Sequence, residues 1–159
     1  MTARAPLANP GVQFPPPILF LIGFGAAWLL DDQVPLPFPG VGRVVMVSAG
    51  VMVLITGLCV MIWGIAMFRK AMTAIFPNQP ANELVTDGAY RYTRNPMYVG
   101  FTLVFIGAAF IRDSMWPLIL LPLILGLLYL LVIRREEAYL ADAFGEQYAA
   151  YCRQVRRWV

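Results

Sequence analysis

The sequence predicts an all-α integral membrane protein. We expect four transmembrane helices, the last two forming a tight hairpin, followed by a C-terminal amphipathic cytoplasmic helical segment. Of the 159 residues, 60% are hydrophobic and only 13% are charged, and the mean hydropathy is +0.68. A soluble domain carries about 25% charged residues, which cover its surface. The length predicts a single membrane domain over residues 1–159.

Four apolar runs of 17, 25, 15 and 19 residues supply the predicted spans. A helix needs about 20 apolar residues to cross a bilayer. The spans are expected at about residues 14–30, 44–68, 96–112 and 115–133. The third run reaches this length only if Pro96 and Arg112 lie in the headgroup region. Because Arg112, Asp113 and Ser114 leave room for only a very short turn, the third and fourth spans should form an antiparallel hairpin.

The charges predict the orientation. With four spans, the N-terminus, the 69–95 loop and the 134–159 segment share one side of the membrane. That side carries ten basic residues: Arg4, Arg69, Lys70, Arg91, Arg94, Arg134, Arg135, Arg153, Arg156 and Arg157. The other side carries Arg43 and Arg112. By the positive-inside rule, the protein should lie in the cytoplasmic membrane with both termini and the 69–95 loop in the cytoplasm.

Several classes of chemistry are excluded by composition. The chain has no histidine, which removes histidine acid–base catalysis and most zinc-site patterns, and no metal is expected. Cys59 falls within a span and Cys152 on the cytoplasmic side, so no disulfide is expected. The sidedness of the basic residues accounts for the basic pI, so no nucleic-acid partner is expected.

The most informative stretch is TDGAYRYTRNPMYVG, residues 86–100. Asn95 and Pro96 are typical of a helix start, with Asn95 as the N-cap and Pro96 at the first helical position. The free N–H groups of that first turn, with Arg91 and Arg94 upstream, could hold a carboxylate or phosphate. Its three tyrosines could stack on a base or surround a cation: Tyr90, Tyr92 and Tyr98.

A second polar cluster, RREE at residues 134–137, directly follows the last span. The hairpin brings it near Asn95, on the same side of the membrane. Carboxylates at a membrane boundary are costly unless solvated or paired. Glu136 and Glu137 could therefore be solvated, pair with an arginine of the first motif, or face a bound cation. Ordinary interface anchoring is the alternative interpretation of both motifs.

Beyond this cluster, apolar and aromatic residues recur at helical spacing, with an interruption or bend expected at Gly145. They are Tyr139, Leu140, Ala143, Phe144, Tyr148, Tyr151, Val155 and Trp158. One interpretation is an interfacial helix bound to anionic lipid. The other is a lid that folds back over a ligand held between the two clusters.

The segments GAYRYTRNPMYVG and REEAYLADAFGEQYAAYCRQVRRW together resemble the isoprenylcysteine carboxyl methyltransferase family and its phospholipid N-methyltransferase relatives. The resemblance covers about residues 83–158. It implies an S-adenosyl-L-methionine-dependent methyltransferase embedded in the bilayer, with the cofactor in a cytoplasm-facing pocket. The acceptor would be a lipophilic or lipidated membrane-resident molecule with a carboxylate, thiol or amine. It says nothing of oligomeric state.

Through this resemblance the cofactor site is expected at Tyr90, Arg94, Asn95, Pro96, Met97, Tyr98, Gly100, Glu136 and Glu137, with Tyr148, Tyr151 and Arg156 in the lid. The catalytic candidates are Arg94, Asn95 and Glu137. Arg94 or the helix N-terminus would hold the methionyl carboxylate, and one glutamate would hold the ammonium or ribose hydroxyls. The family usually has histidine where this chain has Asn95, and asparagine cannot titrate near pH 7.

Two other functions are consistent with the sequence. Membrane sterol-type reductases have a similar C-terminal architecture but use NADPH, whose extra phosphate could be bound by Arg153, Arg156 and Arg157. A non-catalytic membrane accessory protein would bind neither cofactor.

Overall fold

The computed structural model describes residues 10–12, 15–72 and 82–159, and these residues form helices and connections with no strand. The helices are α1 (Pro16–Gln33), α2 (Arg43–Lys70), α3 (Pro96–Arg112), α4 (Trp116–Leu128) and α5 (Arg134–Gln154). A 3₁₀ turn (Gly88–Arg91) precedes α3. The predicted all-α class is confirmed. Arg4, the start of the first predicted span at residue 14, and residues 73–81 of the predicted 69–95 loop lie outside this description.

Two helices of the described residues are long and apolar enough to cross a membrane. One is α2, with 28 residues, and the other is the continuous helix Trp116–Gln154, with 39 residues. At 1.5 Å per residue, α2 is about 42 Å long, which exceeds the hydrocarbon thickness of about 30 Å. The helix α3 is a shorter apolar helix of 17 residues.

The closest helix contact in the fold joins α2 to α3 through glycines. A Cβ added to Gly57 would lie 2.7 Å from the carbonyl oxygen of Gly100, and one added to Gly100 would lie 2.7 Å from the carbonyl oxygen of Gly57. About two turns away on each helix, a Cβ on Gly107 would lie 2.7 Å from the carbonyl oxygen of Gly50. The two backbones therefore touch directly, as in membrane helix pairs that use small residues at their interface.

The helix that begins at α4 does not end at the predicted membrane boundary near residue 133. A π-helical turn (Tyr129–Ile133) joins α4 directly to α5, so that α4, this turn and α5 follow one another as one helical segment. Within α5, Gly145 has φ 49° and ψ −122°, which no regular helix contains. The predicted bend at Gly145 is thus confirmed, and glycine accommodates this backbone conformation at low cost.

At the end of α3 opposite to the first polar motif, the turn between α3 and α4 is bonded to the connection between α1 and α2. The backbone N–H of Phe38 donates to Oδ1 of Asp113 at 3.1 Å. Arg112 pairs with Asp31 at 3.2 Å and with Asp32 at 2.9 Å. These bonds place α1 beside α4, while α3 packs chiefly on α2. The short turn predicted between the third and fourth helices is present, but their largest contacts are with other helices.

We predict that Gly57→Ala destabilises the protein by about 1–3 kcal/mol, because the added methyl overpacks the contact with the α3 backbone. Gly25→Ala is the matched control. It is also helical, an added Cβ there meets nothing within 4 Å, and alanine favours helix by up to about 1 kcal/mol. Thermal unfolding of both variants in the same detergent checks this. Equal melting temperatures for the two variants would show that α2 and α3 can separate without cost.

Candidate functional site

The two polar motifs meet where α3 and α5 begin. The hydroxyl of Tyr98, in the first turn of α3, donates to Oε1 of Glu136 at 2.8 Å. Tyr98 is buried and Glu136 is half-buried. Burial raises the pKa of the Glu136 carboxyl to about 7; the bond from Tyr98 opposes this rise, and the charge of Glu137 adds to it. Glu136 is therefore a carboxyl group held by a neutral donor in a poorly solvated position.

Glu137 has a different environment although it is the next residue. Nε and Nη2 of Arg157 donate to its two carboxylate oxygens, both at 2.8 Å. Nη1 of Arg94 lies 3.4 Å from Oε1 of the same carboxylate. The Arg157 guanidinium also lies 5.0 Å above the ring of Tyr129. The hydrogen bonds with Glu137 raise the pKa of Arg157 despite partial burial. Two cations thus neutralise Glu137.

The backbone after α5 runs beside the residues that precede α3. The N–H of Arg94 donates to the carbonyl of Arg156 at 2.9 Å. The hydroxyl of Thr93 and Nδ2 of Asn95 both donate to the carbonyl of Arg157, each at 3.0 Å. Thr93 is only 4% exposed. Three successive residues therefore bind two successive carbonyls of the C-terminal segment.

The predicted start of α3 is confirmed in position, because Asn95 is the N-cap residue and Pro96 begins the helix. The side-chain hydrogen bond expected of the cap is absent. The side-chain amide of Asn95 instead donates to Arg157, and its own N–H donates to Oγ1 of Thr93 at 3.2 Å. The carbonyl of Arg157 competes successfully for the side chain, an interaction between residues 62 positions apart that local sequence does not reveal.

The tyrosines of the predicted lid pack on the first motif. The hydroxyl of Tyr151 donates to the carbonyl of Tyr90 at 2.7 Å. Burial raises the pKa values of Tyr90, Tyr148 and Tyr151 above the usual value. Together with Leu84 and Val155, these three tyrosines form a buried cluster. The aromatic stripe of α5 beyond Gly145 therefore packs on the segment that leads into α3, and residues on the other face of α5 remain exposed.

Other predicted site residues lie elsewhere on α3. Met97 and Pro96 face α2, where a Cβ added to Gly64 would lie 3.0 Å from Cγ of Met97 and 3.4 Å from Cγ of Pro96. Gly100 belongs to the glycine contact with α2. The Arg156 side chain is exposed, and its carbonyl makes the contact with Arg94. Their roles in cofactor binding stay predictions.

Three contributors were not predicted: Thr93, Tyr129 and Cys152. Arg157 was predicted only as a phosphate-binding residue of the reductase alternative. Cys152 accepts a hydrogen bond from Nη1 of Arg94 at 2.7 Å. In a straight helix, the 20 residues between Glu137 and Arg157 would span about 30 Å. The bend at Gly145 removes that separation, so the predicted bend was the one signal for this contact. Among the described residues, no group of three or more Cys, Asp or Glu side chains could hold a metal ion.

The helical fold and the paired motifs define a membrane-type protein with a polar site at one end of its helices. The sequence profile of the phospholipid methyltransferase family matches residues 45–147. The chain therefore belongs to this family, which confirms the resemblance seen in its motifs.

Three curated relatives match a little under half of the chain. The protein-S-isoprenylcysteine O-methyltransferase of Schizosaccharomyces pombe is 39% identical over 72 residues, covering 45% of this chain and 30% of the relative. The cobalt-zinc-cadmium resistance protein CzcN of Cupriavidus metallidurans is 40% identical over 74 residues, 46% of this chain and 34% of the relative. Protein-S-isoprenylcysteine O-methyltransferase B of Arabidopsis thaliana is 31% identical over 74 residues, 46% and 38%. The matches span about a third of these relatives. No solved structure matches the chain.

The raised pKa of Glu136 predicts a pH-dependent stability. Between the ordinary value of 4.5 and the folded value of about 7, the folded state binds more protons than the unfolded state. Stability should therefore fall as pH rises through this window, by an amount on the order of 1–3 kcal/mol. Glu136→Gln should flatten the dependence and raise the melting temperature at pH 8.

Melting temperatures between pH 5 and pH 8 measure this effect. The control is Glu146→Gln, an exposed glutamate on α5 bonded to Arg153. It should follow the wild type at every pH. A wild-type slope that persists in Glu136→Gln would mean that another group titrates.

Proposed function

We propose that this protein is an S-adenosyl-L-methionine-dependent methyltransferase that acts on a lipophilic, membrane-resident acceptor. The family membership and the names of two relatives support methyl transfer. The observation that carries the proposal is the pairing of Glu136 with the hydroxyl of Tyr98 instead of with a guanidinium. This leaves a carboxylate able to receive a cationic ligand, beside Arg94, which can receive an anionic one.

The residues fit the charge pattern of such a cofactor, which has a carboxylate, an ammonium and a sulfonium. Nε of Arg94 is buried and has no hydrogen-bond partner, so this guanidinium retains an unused donor. We assign Arg94 to the cofactor carboxylate and Glu136 to its ammonium or ribose hydroxyls. A positive charge on the ligand would favour the ionised form of Glu136 and offset the effect of burial on its pKa.

When bound, the cofactor would supply an electrophilic methyl group on its sulfonium sulfur for transfer to the acceptor. The chain contributes alignment and a site that excludes water. A carboxylate or thiolate acceptor has no proton to lose, and an amine loses its proton only after attack. Asn95 is therefore not required to act as a base, and we assign no proton transfer to it.

We also infer that four helices cross the bilayer, at about the predicted spans, with the site on the cytoplasmic side. The large apolar side chains that point away from the other helices support this. On α1 and α2, Leu21, Ile22, Val44 and Met52 are 71%, 65%, 79% and 66% exposed. Exposed apolar patches of this kind require a lipid or protein partner. The ten basic residues on the site's side support its cytoplasmic orientation.

The reductase alternative depends on a basic cluster that could bind an extra phosphate. Arg153 is bonded to Glu146 at 2.7 Å, and Arg157 is committed to Glu137. Two of the three arginines of that cluster are therefore paired with different glutamates, which favours the methyltransferase.

We predict that S-adenosylhomocysteine, and not NADPH, raises the melting temperature of the purified protein. A ligand at 100 times its Kd stabilises the folded state by about 2.7 kcal/mol. Glu136→Gln should weaken S-adenosylhomocysteine binding by about tenfold or more, since a hydrogen bond to a charged group contributes about 1.5–3 kcal/mol. Isothermal titration of both proteins measures this.

Glu146→Gln serves again as the control and should bind like the wild type. Stabilisation by NADPH would favour the reductase, and stabilisation by neither would favour the accessory protein. Unchanged affinity in Glu136→Gln would remove Glu136 from the site.

A further inference from the structure

The segment that follows α5, residues 155–157, is held by two independent sets of bonds. Its backbone is bound through the carbonyls of Arg156 and Arg157 by residues 93–95, at 2.9 to 3.0 Å. Its side chains also form an ionic contact, in which the Arg157 guanidinium donates two hydrogen bonds to Glu137, both at 2.8 Å. The first set ties the segment to the start of α3, and the second ties it to the start of α5.

The ionic contact is of the strong kind. A guanidinium that donates two parallel N–H bonds to one carboxylate gains in geometry as well as in charge. The Glu137 side chain is 20% exposed and the Arg157 side chain 35% exposed, so water screens the pair only in part. Both oxygens of Glu137 are occupied, whereas Glu136, the preceding residue, bonds to the Tyr98 hydroxyl.

We propose that residues 155–157 form a latch that closes the cofactor site, and that Asn95 and Arg157 are the positioning residues that hold it shut. This rests on the proposed function for what lies beneath the latch, but not for the latch itself. The two glutamates then have separate tasks. Glu137 binds the latch through Arg157, and Glu136, bonded to the neutral hydroxyl of Tyr98, is available to a cationic group of the ligand.

The chemistry of Asn95 suits this role. A backbone carbonyl can only accept hydrogen bonds, so the side chain that holds it must be a hydrogen-bond donor at every working pH. The amide of asparagine is such a donor and does not titrate. An aspartate of the same shape would place oxygen against oxygen. A histidine would retain an N–H able to reach a nearby acceptor.

The alternative to a latch is that Arg157 blocks the cofactor site, and we call this a plug. Its guanidinium, between Glu137 and the ring of Tyr129, would then occupy the position of the ligand's cation. Removing a plug strengthens ligand binding, whereas removing a latch weakens it. The sign of the change in affinity therefore separates the two.

The latch is tested first without ligand, on the full chain in detergent micelles. Hydrogen exchange at the Arg94 amide, which donates to the Arg156 carbonyl, reports opening. We expect Asn95→Asp and Arg157→Ala each to speed this exchange by about three- to tenfold, as expected for the loss of one or two hydrogen bonds. Asn95→His keeps an N–H donor at this position and should exchange as slowly as the wild type. The control Arg153→Ala, on the exposed pair with Glu146, should exchange like the wild type.

The same proteins are then titrated with S-adenosylhomocysteine. The latch predicts that Arg157→Ala binds it at least about threefold more weakly than Arg153→Ala does. Unchanged Arg94 exchange in both Asn95→Asp and Arg157→Ala would overturn the latch, and tighter binding by Arg157→Ala would show a plug instead. If the wild type binds no S-adenosylhomocysteine, the proposed function fails while the exchange result still decides whether the latch exists.

Discussion

The direct contact of the α2 and α3 backbones sets how α3 presents its side chains to the polar site. With no side chain between Gly57 and Gly100, the two backbones are in direct contact, which requires these glycine faces of α2 and α3 to be turned toward each other. Tyr98 precedes Gly100 by two residues, which is about 200° around a helix. When Gly100 faces α2, Tyr98 must face the other way, toward Glu136. Helix packing in the apolar part of the molecule thereby sets the geometry of the polar site.

The same helical geometry separates the two adjacent glutamates. Successive residues of α5 point about 100° apart. Glu136 turns toward the buried hydroxyl of Tyr98, and Glu137 turns toward Arg94 and the returning Arg157. One carboxylate is neutralised by two cations, while burial raises the pKa of the other. Neighbours in sequence thus acquire different electrostatic environments.

The parts of this arrangement that the sequence predicts are those set by local residues or by composition. The all-helical class follows from the apolar runs, the start of α3 from Pro96, and the bend of α5 from Gly145. The meeting of the two motifs followed from their positions at the ends of neighbouring helices. Asn95 shows why the remainder could not be predicted. Its capping preference is local, but the carbonyl that it binds lies 62 residues away.

The residues that match the family profile end at 147, before the segment that carries Arg157. The matched region contains Tyr98, Glu136 and Glu137, and hence the groups assigned to the ligand and the carboxylate that anchors the segment. The backbone of residues 155–157 needs only hydrogen-bond donors from residues 93–95, and these can be supplied by a main-chain N–H, a hydroxyl and an amide. None of these donors titrates near neutral pH. Under the proposed function, a site closed in this way would catalyse a displacement that needs no general base and would not require a histidine. A chain without histidine can therefore still belong to this family.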